Sequence, residues 1–461
     1  MGQRSSSDSV SAKPTVVIVG AGISGLAAAA KLAQSGMSVT ILEARDRIGG
    51  RILTRRDPHL SVPVELGAEF IHGMASEIIG PLEEMKASIM EVEGDNWCVS
   101  HGRLSICSFF AQVDKILEKM DSSEPDEPFL KFLERRFPNK ENDAEVEEVK
   151  RHAVGYITGF NAADPAKVSV HWLIKGMEAE ERIQGQRAFR AVDGYAPLAE
   201  FFRQQAEKAG ATIRTSTIVE RVEWLARGGE VSIRSTDGRG SSKIAAGKIL
   251  VTVPVGVLKA KTSENGALAF NPALPRPKVE ALQHLAMGKV MRVVLRFRHR
   301  FWDELTPSRG EEKTLSGLSF LFSEDEWFPT WWTAAPRKSP IITGWAPFRA
   351  GERLSGKSES FVVDQCLSSL SRTLRIGPVQ LQKEFAAAYF HDWQSDPFAR
   401  GAYSWAKVGA DGAQEALAAP VENTLFFAGE ATDTTGHNGT VHGAIASGQR
   451  AAAEILRSVQ P

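Results

Sequence analysis

The sequence predicts an α/β fold, and three observations in its first fifty residues support this prediction. Residues 15–19 form a continuous apolar run of strand length, residues 26–33 form an alanine-rich helical stretch, and residues 38–43 form a second apolar strand. Gly36 ends the helix before that second strand. Because a strand that is apolar on both faces belongs to a sheet covered on both sides, this β-α-β order predicts a parallel sheet.

The turn between the first strand and the helix is rich in glycine. It contains Gly20, Gly22, Ser24 and Gly25 in a Gly-x-Gly-x-x-Gly spacing. The first glycine permits the sharp turn, the second lets the backbone approach a pyrophosphate, and the third allows close packing of helix on strand. The N–H groups at the helix start then face an anion. Glu43 lies 18 residues beyond Gly25, where a carboxylate accepts hydrogen bonds from both ribose hydroxyls of an adenosine. The pattern is typical of a Rossmann-type dinucleotide-binding unit.

A second group of glycine and arginine residues follows the second strand. Arg45, Gly50 and Arg51 place backbone donors and guanidinium groups near the same anion, which a nicotinamide-binding unit does not ordinarily contain. FAD is therefore the predicted cofactor. A glycine-rich turn in an α/β protein without a ligand is the alternative, but it leaves Glu43 and this second group unexplained.

The charge balance disfavours partners that need a strong positive field. The 461 residues include 55 basic and 56 acidic side chains, which gives a net charge of −1. Nucleic acids and anionic membranes are bound through clustered positive charge, so neither is expected as a partner. A small molecule, either neutral or cationic, is the expected ligand. At roughly 150 residues per domain, the length corresponds to about three structural units.

The cysteines and the start of the chain bear on the compartment. Cys98, Cys107 and Cys366 form no Cys-x-x-Cys pair, so neither a disulfide framework nor a metal site is expected, and a reducing, cytoplasmic location is predicted. Residues 1–13 are polar and lack the apolar segment of a secretory signal, which predicts a disordered tail. No run of 18 apolar residues occurs, so no membrane span is expected.

The run from Val16 to Arg51 resembles the amino-terminal signature of the flavin-containing amine oxidases, the family of monoamine oxidases, polyamine oxidases and flavin-dependent histone lysine demethylases. The resemblance extends to Leu456, interrupted mainly by a helical insertion. It implies a glutathione-reductase-like FAD-binding domain, assembled from discontinuous segments, and an α+β substrate-binding domain with a mixed sheet. The expected FAD-binding segments are residues 14–76, 191–275 and 400–461, and the expected substrate-binding segments are residues 77–190 and 276–399.

Further family positions lie after the second strand. Gly67, Ala68, Glu69 and Phe70 match the segment that the family runs across the flavin ring, and His72 follows them. The resemblance implies that His72 orients the substrate. A purely structural, hydrogen-bonding role in a glycine-bounded turn is the alternative for this histidine.

The carboxyl-terminal part gives the tightest match to the family's flavin site. Glu430 is expected near the pyrophosphate and the ribityl chain. The helix that starts near Thr440 and Val441 is expected to direct its N–H groups and its dipole at the N1–C2=O region of the flavin. Earlier in the chain, Val219 matches the position whose backbone meets the adenine.

The family's reaction sets requirements for the pocket. In this family a C–H bond alpha to an amine passes its hydride to flavin N5, the imine is hydrolysed, and oxygen reoxidises the flavin to give hydrogen peroxide. The resemblance therefore implies a small-molecule amine and O2 as partners. Because the substrate nitrogen must be unprotonated, the aromatic residues Trp393 and Tyr403 are expected to shape a pocket of low dielectric. Thr440 stands where monoamine oxidases often carry a tyrosine, which favours a polyamine-type or demethylase-type cavity. Ala402 stands where they carry the cysteine bonded to flavin, so FAD is expected to bind noncovalently.

Arg292 departs from the family pattern. It lies in a predicted strand from Met287 to Trp302, with residues 293, 295 and 297 on one face and residues 292, 294 and 296 on the other. Most polyamine oxidases and demethylases have a lysine here, hydrogen-bonded through water to flavin N5. Arginine keeps the positive charge but cannot become a neutral base. Either an electrostatic role is preserved or turnover is slow.

Other functions compete with this interpretation. An L-amino-acid oxidase needs an arginine that binds the substrate carboxylate, and the sequence alone does not identify one. Carotenoid desaturases and protoporphyrinogen oxidases share the amino-terminal motif, but the near-neutral composition and the aromatic carboxyl-terminal motifs disfavour them. A flavoprotein kept for binding, with little or no amine turnover, is the alternative that Arg292 favours. The sequence predicts no oligomeric state.

Overall fold

The computed structural model describes residues 15–100, 102–138, 144–236, 240–307 and 313–459. The predicted tail, residues 1–13, lies outside the described residues. The strands are β1 (Thr15–Val19), β2 (Ser38–Leu42), β3 (Thr54–Arg55), β4 (Val64–Glu65), β5 (Phe70–His72), β6 (Ile89–Glu91), β7 (Asp95–Ser100), β8 (Arg103–Ile106), β9 (Ala188–Ala191), β10 (Thr212–Arg214), β11 (Thr217–Leu225), β12 (Gly228–Ser235), β13 (Ser241–Ala246), β14 (Lys248–Val251), β15 (Ala269–Asn271), β16 (Leu285–Met287), β17 (Val290–Phe297), β18 (Leu318–Phe322), β19 (Thr330–Thr333), β20 (Ile341–Pro347), β21 (Phe385–Phe390), β22 (Ser404–Ala406) and β23 (Leu425–Phe427).

The α-helices connect and cover these strands. They are α1 (Ile23–Gln34), α2 (Ser76–Glu84), α3 (Phe109–Leu117), α4 (Phe129–Arg136), α5 (Ala144–Gly159), α6 (Val170–Arg182), α7 (Ala196–Lys208), α8 (Val255–Leu258), α9 (Arg276–His284), α10 (Phe348–Leu354), α11 (Glu359–Leu374), α12 (Pro378–Glu384), α13 (Ala413–Ala418) and α14 (Val441–Val459).

A five-stranded parallel sheet carries the first half of the site. Its order is β10-β2-β1-β14-β23. Val16 and Ile18 pack with α1, α7 and α14 on one face, whereas Val17 and Val19 pack with a four-stranded sheet, β13-β12-β11-β15, on the other. This two-sided burial explains why the first strand is apolar throughout. All five strands fall within the segments predicted for FAD binding, and the division of the chain into domains stays a prediction.

A seven-stranded mixed sheet carries the second half. Its order is β21-β17-β20-β19-β18-β7-β8, and only the β18–β7 pairing within it is parallel. Along β17, residues 293, 295 and 297 lie in an aromatic-rich core while Arg292 lies on the opposite face, as the alternation predicts. The strand predicted from Met287 to Trp302 is too long, because a 3-10 turn at Phe301–Glu304 follows β17.

The insertion at residues 77–190 is not purely helical. It contains helices α2 to α6, but it also contributes β7 and β8 to the mixed sheet. Its strand β6 joins β9 and β5 in a three-stranded sheet. Residues 141–148 include five acidic side chains. This stretch lies only partly within the described residues, and its carboxyl-terminal part forms the start of α5. Within the described residues, no helix is long and apolar enough to span a bilayer.

The expectation of no disulfide is wrong. Cys98 and Cys107 are bonded, with their Cα atoms 5.7 Å apart and a sequence separation of 9. The antiparallel pairing of β7 with β8 places Cys98 opposite Ser105 and brings the two thiols together, which a search for Cys-x-x-Cys spacing does not detect. The expected absence of a disulfide was the basis for predicting a reducing compartment, so that prediction is no longer supported. Cys366 is free and buried.

Candidate active site

A cavity of about 1110 Å³ extends from the amino-terminal end of α1 to the face of the mixed sheet. Every cofactor-binding and catalytic residue predicted from the sequence lines it except Gly25, which lies behind the turn. We call the part near α1, β2 and α14 the cofactor half. The part bounded by α3, α5, α6 and the mixed sheet is called the substrate arm.

The glycine turn leaves open space in front of α1. A Cβ atom on Gly22 would meet no atom within 4 Å, whereas a Cβ on Gly25 would lie 2.1 Å from the carbonyl oxygen of Gly20. Gly22 caps α1 without a side-chain hydrogen bond, so main-chain N–H groups at the helix start remain available to a ligand. The buried Glu43 carboxylate accepts from the N–H of Ala21 at 2.8 Å and of Arg45 at 3.0 Å. These bonds fix its orientation and leave lone pairs for ribose hydroxyls.

The two arginines of the cofactor half are already paired within the protein. Arg45 donates to both oxygens of Asp396 at 2.8 Å. Arg51 donates to Glu430 Oε1 and to the carbonyl of Ala402, both at 2.8 Å. Each still lines the cavity, but its charge is balanced by a carboxylate rather than free for an anion.

Glu430 joins three segments at the base of the cavity. Besides Arg51, it accepts from Ser404 Oγ at 2.5 Å and from the N–H of Gly439 at 2.9 Å. Its carboxylate is thus satisfied by the protein. Glu430 therefore connects Arg51 with the loop before α14.

Hydrogen bonds within the protein hold the start of α14 in place. Thr440 Oγ1 accepts from the N–H of Gly443 at 3.0 Å and donates to the carbonyl of His437 at 2.7 Å. Thr440 therefore caps the helix, and it also lines the cavity. Val441 begins the helix and lines the cavity. Ser24 and Ser447, with Oγ atoms 3.3 Å apart, link α1 to α14.

The segment across the cavity floor depends on glycine. A Cβ on Gly67 would lie 1.8 Å from the carbonyl oxygen of Arg51, so no larger residue fits. Trp393 donates its indole N–H to the carbonyl of Leu66 at 2.8 Å, which orients that ring against the segment. Ala68 and Val219 also line the cofactor half of the cavity.

Arg292 belongs to a buried charge cluster. It forms an ion pair with Glu69 and donates to the carbonyl of Gly67 at 2.8 Å. Arg190 donates to the other Glu69 oxygen at 2.6 Å, and the Trp332 indole donates to Glu69 at 3.0 Å. Burial favours a higher pKa for Glu69, but the charges of Arg292 and Arg190 outweigh it and the pKa is lowered. Two arginines around one ionised carboxylate leave the cluster with a net positive charge.

Aromatic residues form a further part of the cavity wall. Tyr403 donates its hydroxyl to the carbonyl of Phe160 at 2.7 Å, and burial raises its pKa. Tyr156 stacks on Phe160 with ring centroids 4.9 Å apart. The His72 ring meets Phe160 edge-on at 5.3 Å, and burial lowers the pKa of His72 to about 4. His72 is therefore neutral near pH 7, and it can accept a hydrogen bond from a cation or an amine.

Comparison with known proteins decides the family. The sequence profile described as flavin containing amine oxidoreductase matches residues 99–456, and a profile described as an NAD(P)-binding Rossmann-like domain matches residues 18–82. The chain belongs to the flavin-containing amine oxidoreductase family. It is an FAD-dependent amine oxidoreductase of the α/β class.

Relatives of this amine oxidoreductase cover nearly its whole length. Polyamine oxidase 4 of Oryza sativa subsp. japonica is 28% identical over 472 residues, which cover 97% of this chain and 89% of that protein. Lysine-specific histone demethylase 2 of Homo sapiens is also 28% identical, over 96% of this chain but 53% of that protein. The chain thus spans about half of this demethylase and most of the polyamine oxidase.

Solved structures share the fold of this amine oxidoreductase. Wild-type putrescine oxidase bound to putrescine has a TM-score of 0.73 at 22% identity, covering 96% of this chain and 99% of that chain. Cyclohexylamine oxidase from Brevibacterium oxydans IH-35A has a TM-score of 0.73 at 21% identity, covering 97% and 100%.

The cofactor half of this amine oxidoreductase fits FAD. A Cβ on Gly22 would meet no protein atom within 4 Å, so the space in front of it is open, and the cavity is larger than a small substrate needs. Arg292 Nε and His442 Nε2 are buried without a hydrogen-bond partner among the described residues, although both side chains line the cavity. Such atoms are expected where a ligand or water supplies the partner. The assignment of individual residues to cofactor contacts stays a proposal.

Several residues of the substrate arm were not predicted from the sequence. Tyr156 and Phe160 lie on and just after α5, Asp114 on α3, and Glu180 on α6. The available signal was the spacing on α6, because Trp172, Gly176 and Glu180 recur every four residues and share one helix face. That spacing predicts a common face but does not indicate what the face borders.

Proposed function

We propose that this amine oxidoreductase oxidises a polyamine-type substrate, with O2 as the acceptor. The redox chemistry would come from bound FAD, which would accept a hydride from the C–H bond alpha to the amine nitrogen and pass both electrons to O2 to give H2O2. Water would hydrolyse the imine to an aldehyde and an amine. The protein supplies position, polarity and charge. In this proposal FAD is held noncovalently, because Ala402 offers no nucleophile for a covalent bond.

The charge of the substrate arm carries this proposal. Its lining includes five carboxylates, namely Glu93, Asp114, Glu118, Glu180 and Glu181, whereas the arginines that line the cavity are Arg45, Arg51 and Arg292, and no lysine among the described residues lines it. Each of these arginines is paired with a carboxylate. An arm rich in carboxylates attracts a substrate with more than one positive charge.

The same pairing disfavours an L-amino-acid oxidase. That activity needs a cation free to bind the substrate carboxylate. Among the described residues, each cavity-lining arginine has a carboxylate partner. Arg292 shares Glu69 with Arg190, but the five carboxylates of the arm outnumber the one excess positive charge of that cluster. An amino-acid carboxylate would therefore meet repulsion in the arm.

We assign roles to the predicted catalytic residues on this basis. His72, neutral and set against Phe160, orients the substrate nitrogen by accepting its hydrogen bond. Tyr403 and Trp393 shape the apolar end of the pocket, where burial favours the unprotonated amine. Arg292 provides a fixed positive charge, and its unpartnered Nε can hold a water molecule at the flavin.

A peroxide assay on the purified FAD-bound protein tests the function. The panel contains spermine, spermidine, simple monoamines and L-amino acids at equal concentration. We expect peroxide release with the polyamines, weaker release with monoamines and none with the amino acids. Release with L-amino acids alone would contradict the proposal. If the protein binds FAD but none of the tested compounds gives peroxide, a binding role without turnover would be favoured.

A further inference from the structure

The cavity face of α6 contains a carboxylate without a protein partner. Glu180 lies in the last turn of α6 and lines the cavity, and no hydrogen bond or ion pair joins its carboxylate to any described residue. The cationic residues nearest to it in sequence are engaged elsewhere, because Lys175 pairs with Glu415, Arg182 donates to the carbonyl of Thr435, and Arg187 pairs with Glu91. A partly buried carboxylate with no partner requires a cation or a proton.

The other carboxylates of the arm differ from Glu180 in exposure. Glu93, Asp114, Glu118 and Glu181 are exposed and lie at the rim of the cavity, whereas Glu180 is partly buried inside it. Burial raises the pKa of Glu180 to about 7, so the protein itself does little to stabilise its charge. The rim residues attract cations generally, and only Glu180 is in a position to hold one at a fixed depth.

The distance from Glu180 to the flavin end follows from the geometry of α6. Trp172, at the other end of the same helix face, donates to Asn438 at 3.3 Å, and a Cβ on the adjacent Gly439 would lie 3.4 Å from the Tyr403 ring. Glu180 lies eight positions after Trp172 on this face, which corresponds to about 12 Å along the helix axis. A cation on Glu180 and an amine beside Tyr403 are therefore on the order of 10 Å apart.

We propose that Glu180 binds the second ammonium group of the substrate and so measures the distance between its two cationic nitrogens. This inference rests on the proposed amine oxidase function. A separation on the order of 10 Å exceeds the reach of an extended four-carbon diamine and suits an eight-carbon diamine or a triamine. The Glu180 site therefore selects long substrates, while the aromatic end of the pocket holds the reacting amine. Glu180 is a specificity-determining residue in this proposal and not a catalytic one.

A series of α,ω-diamines tests the proposal on the FAD-bound protein. In the wild type, kcat/KM is expected to rise from the four-carbon to the eight-carbon diamine. Glu180→Gln is expected to raise KM for the eight-carbon diamine about thirtyfold, because a charge-assisted hydrogen bond is lost. Octylamine, which has no second ammonium group, is expected to keep its kcat and KM. Glu180→Asp is expected to give an intermediate KM.

Glu178→Gln is the matched control. It removes the same charge from the same helix, but Glu178 is exposed and does not line the cavity. We expect wild-type kinetics from this variant with every diamine. If Glu180→Gln and wild type have the same KM for the eight-carbon diamine, or if octylamine is affected equally, the proposal is wrong.

A binding measurement separates this proposal from the activity. Diguanidino-octane carries two permanent cations, and its affinity is measured by calorimetry on the FAD-bound wild type and on Glu180→Gln. We expect about thirtyfold weaker binding by the variant. If no amine is oxidised but this difference appears, the proposed function fails and the cation site stands. Equal affinity of the two proteins overturns the cation site.

Discussion

The cofactor half and the substrate arm satisfy their charged groups in opposite ways. In the cofactor half, Arg45 is paired with Asp396 and Arg51 with Glu430, and the N–H of Ala21 binds Glu43. In the substrate arm, Glu180 has no partner among the described residues. The charged groups of the cofactor half are therefore already paired within the protein, and a ligand adds further contacts to them. The arm is electrostatically incomplete, and a ligand supplies the missing charge.

The glycines of the cofactor half are of two kinds: some pack against the protein framework and others face the space for the ligand. Substituting a glycine of the first kind gives the largest expected loss of stability. Gly25→Ala places a Cβ 2.1 Å from the carbonyl oxygen of Gly20, where only backbone movement can make room. We expect a loss of at least about 3 kcal/mol in the free energy of unfolding, measured by denaturant titration of the apoprotein.

Gly22→Ala is the matched variant. Its φ of −66° suits alanine, and the new Cβ meets no protein atom within 4 Å. We expect a stability loss of at most about 1 kcal/mol. FAD content after purification is nevertheless expected to fall sharply, because the methyl group occupies space in front of α1. Full FAD content in Gly22→Ala would show that the pyrophosphate does not lie there.

Arg292 tests whether the charge cluster between the two halves acts on the flavin. Arg292→Met leaves Glu69 with Arg190 and Trp332 as partners, and we expect it to cost about 3 kcal/mol of unfolding free energy. The rates of anaerobic flavin reduction and of reoxidation are expected to fall by more than about tenfold. Arg292→Lys retains the charge and is expected to recover most of both rates.

The control for Arg292 lies on the same strand face. Arg296 pairs with Asp57 at 3.0 Å and does not line the cavity. Arg296→Met is expected to lower stability without changing either flavin rate. Equal effects of the two methionine variants on the flavin would mean that Arg292 has only a structural role.

The disulfide beside the substrate arm gives the smallest expected effect. Cys98 and Cys107 tie β7 to β8, immediately before α3 and its cavity-lining residues. Thiol titration in denaturant is expected to find one free thiol before reduction and three afterwards. Cys107→Ser is expected to lower the free energy of unfolding by about 2 kcal/mol, because the loop it closes is short. Three free thiols before reduction would contradict the bond.

Sequence reasoning predicted the cofactor half better than the arm for a physical reason. Gly20, Gly25 and Gly67 occupy positions where any Cβ would strike another atom within 3 Å, so the backbone geometry dictates the residue. Because glycine is required at these positions, their spacing can be recognised in the sequence. The parallel sheet was predicted for a similar reason, since burial on both faces requires a wholly apolar strand.

The arm was not predicted because its residues come from separate elements and have ordinary solvent-facing neighbours. In the sequence, Asp114 on α3 and Glu180 on α6 are indistinguishable from exposed charges on helices. Only the tertiary structure shows that both line one cavity. The pairing of Arg292 with Glu69 also depends on tertiary contacts, as does the Cys98–Cys107 bond. Long-range pairing of this kind leaves no spacing in the sequence.

The most direct measurement is anaerobic mixing of the purified flavoprotein with spermine, with the visible flavin absorbance recorded over time. FAD in the cofactor half and an amine in the arm predict that spermine bleaches this absorbance, and that admitted oxygen restores it. A colourless protein that takes up no added FAD would contradict the cofactor site. A yellow protein that no amine of the panel bleaches would contradict the oxidase function.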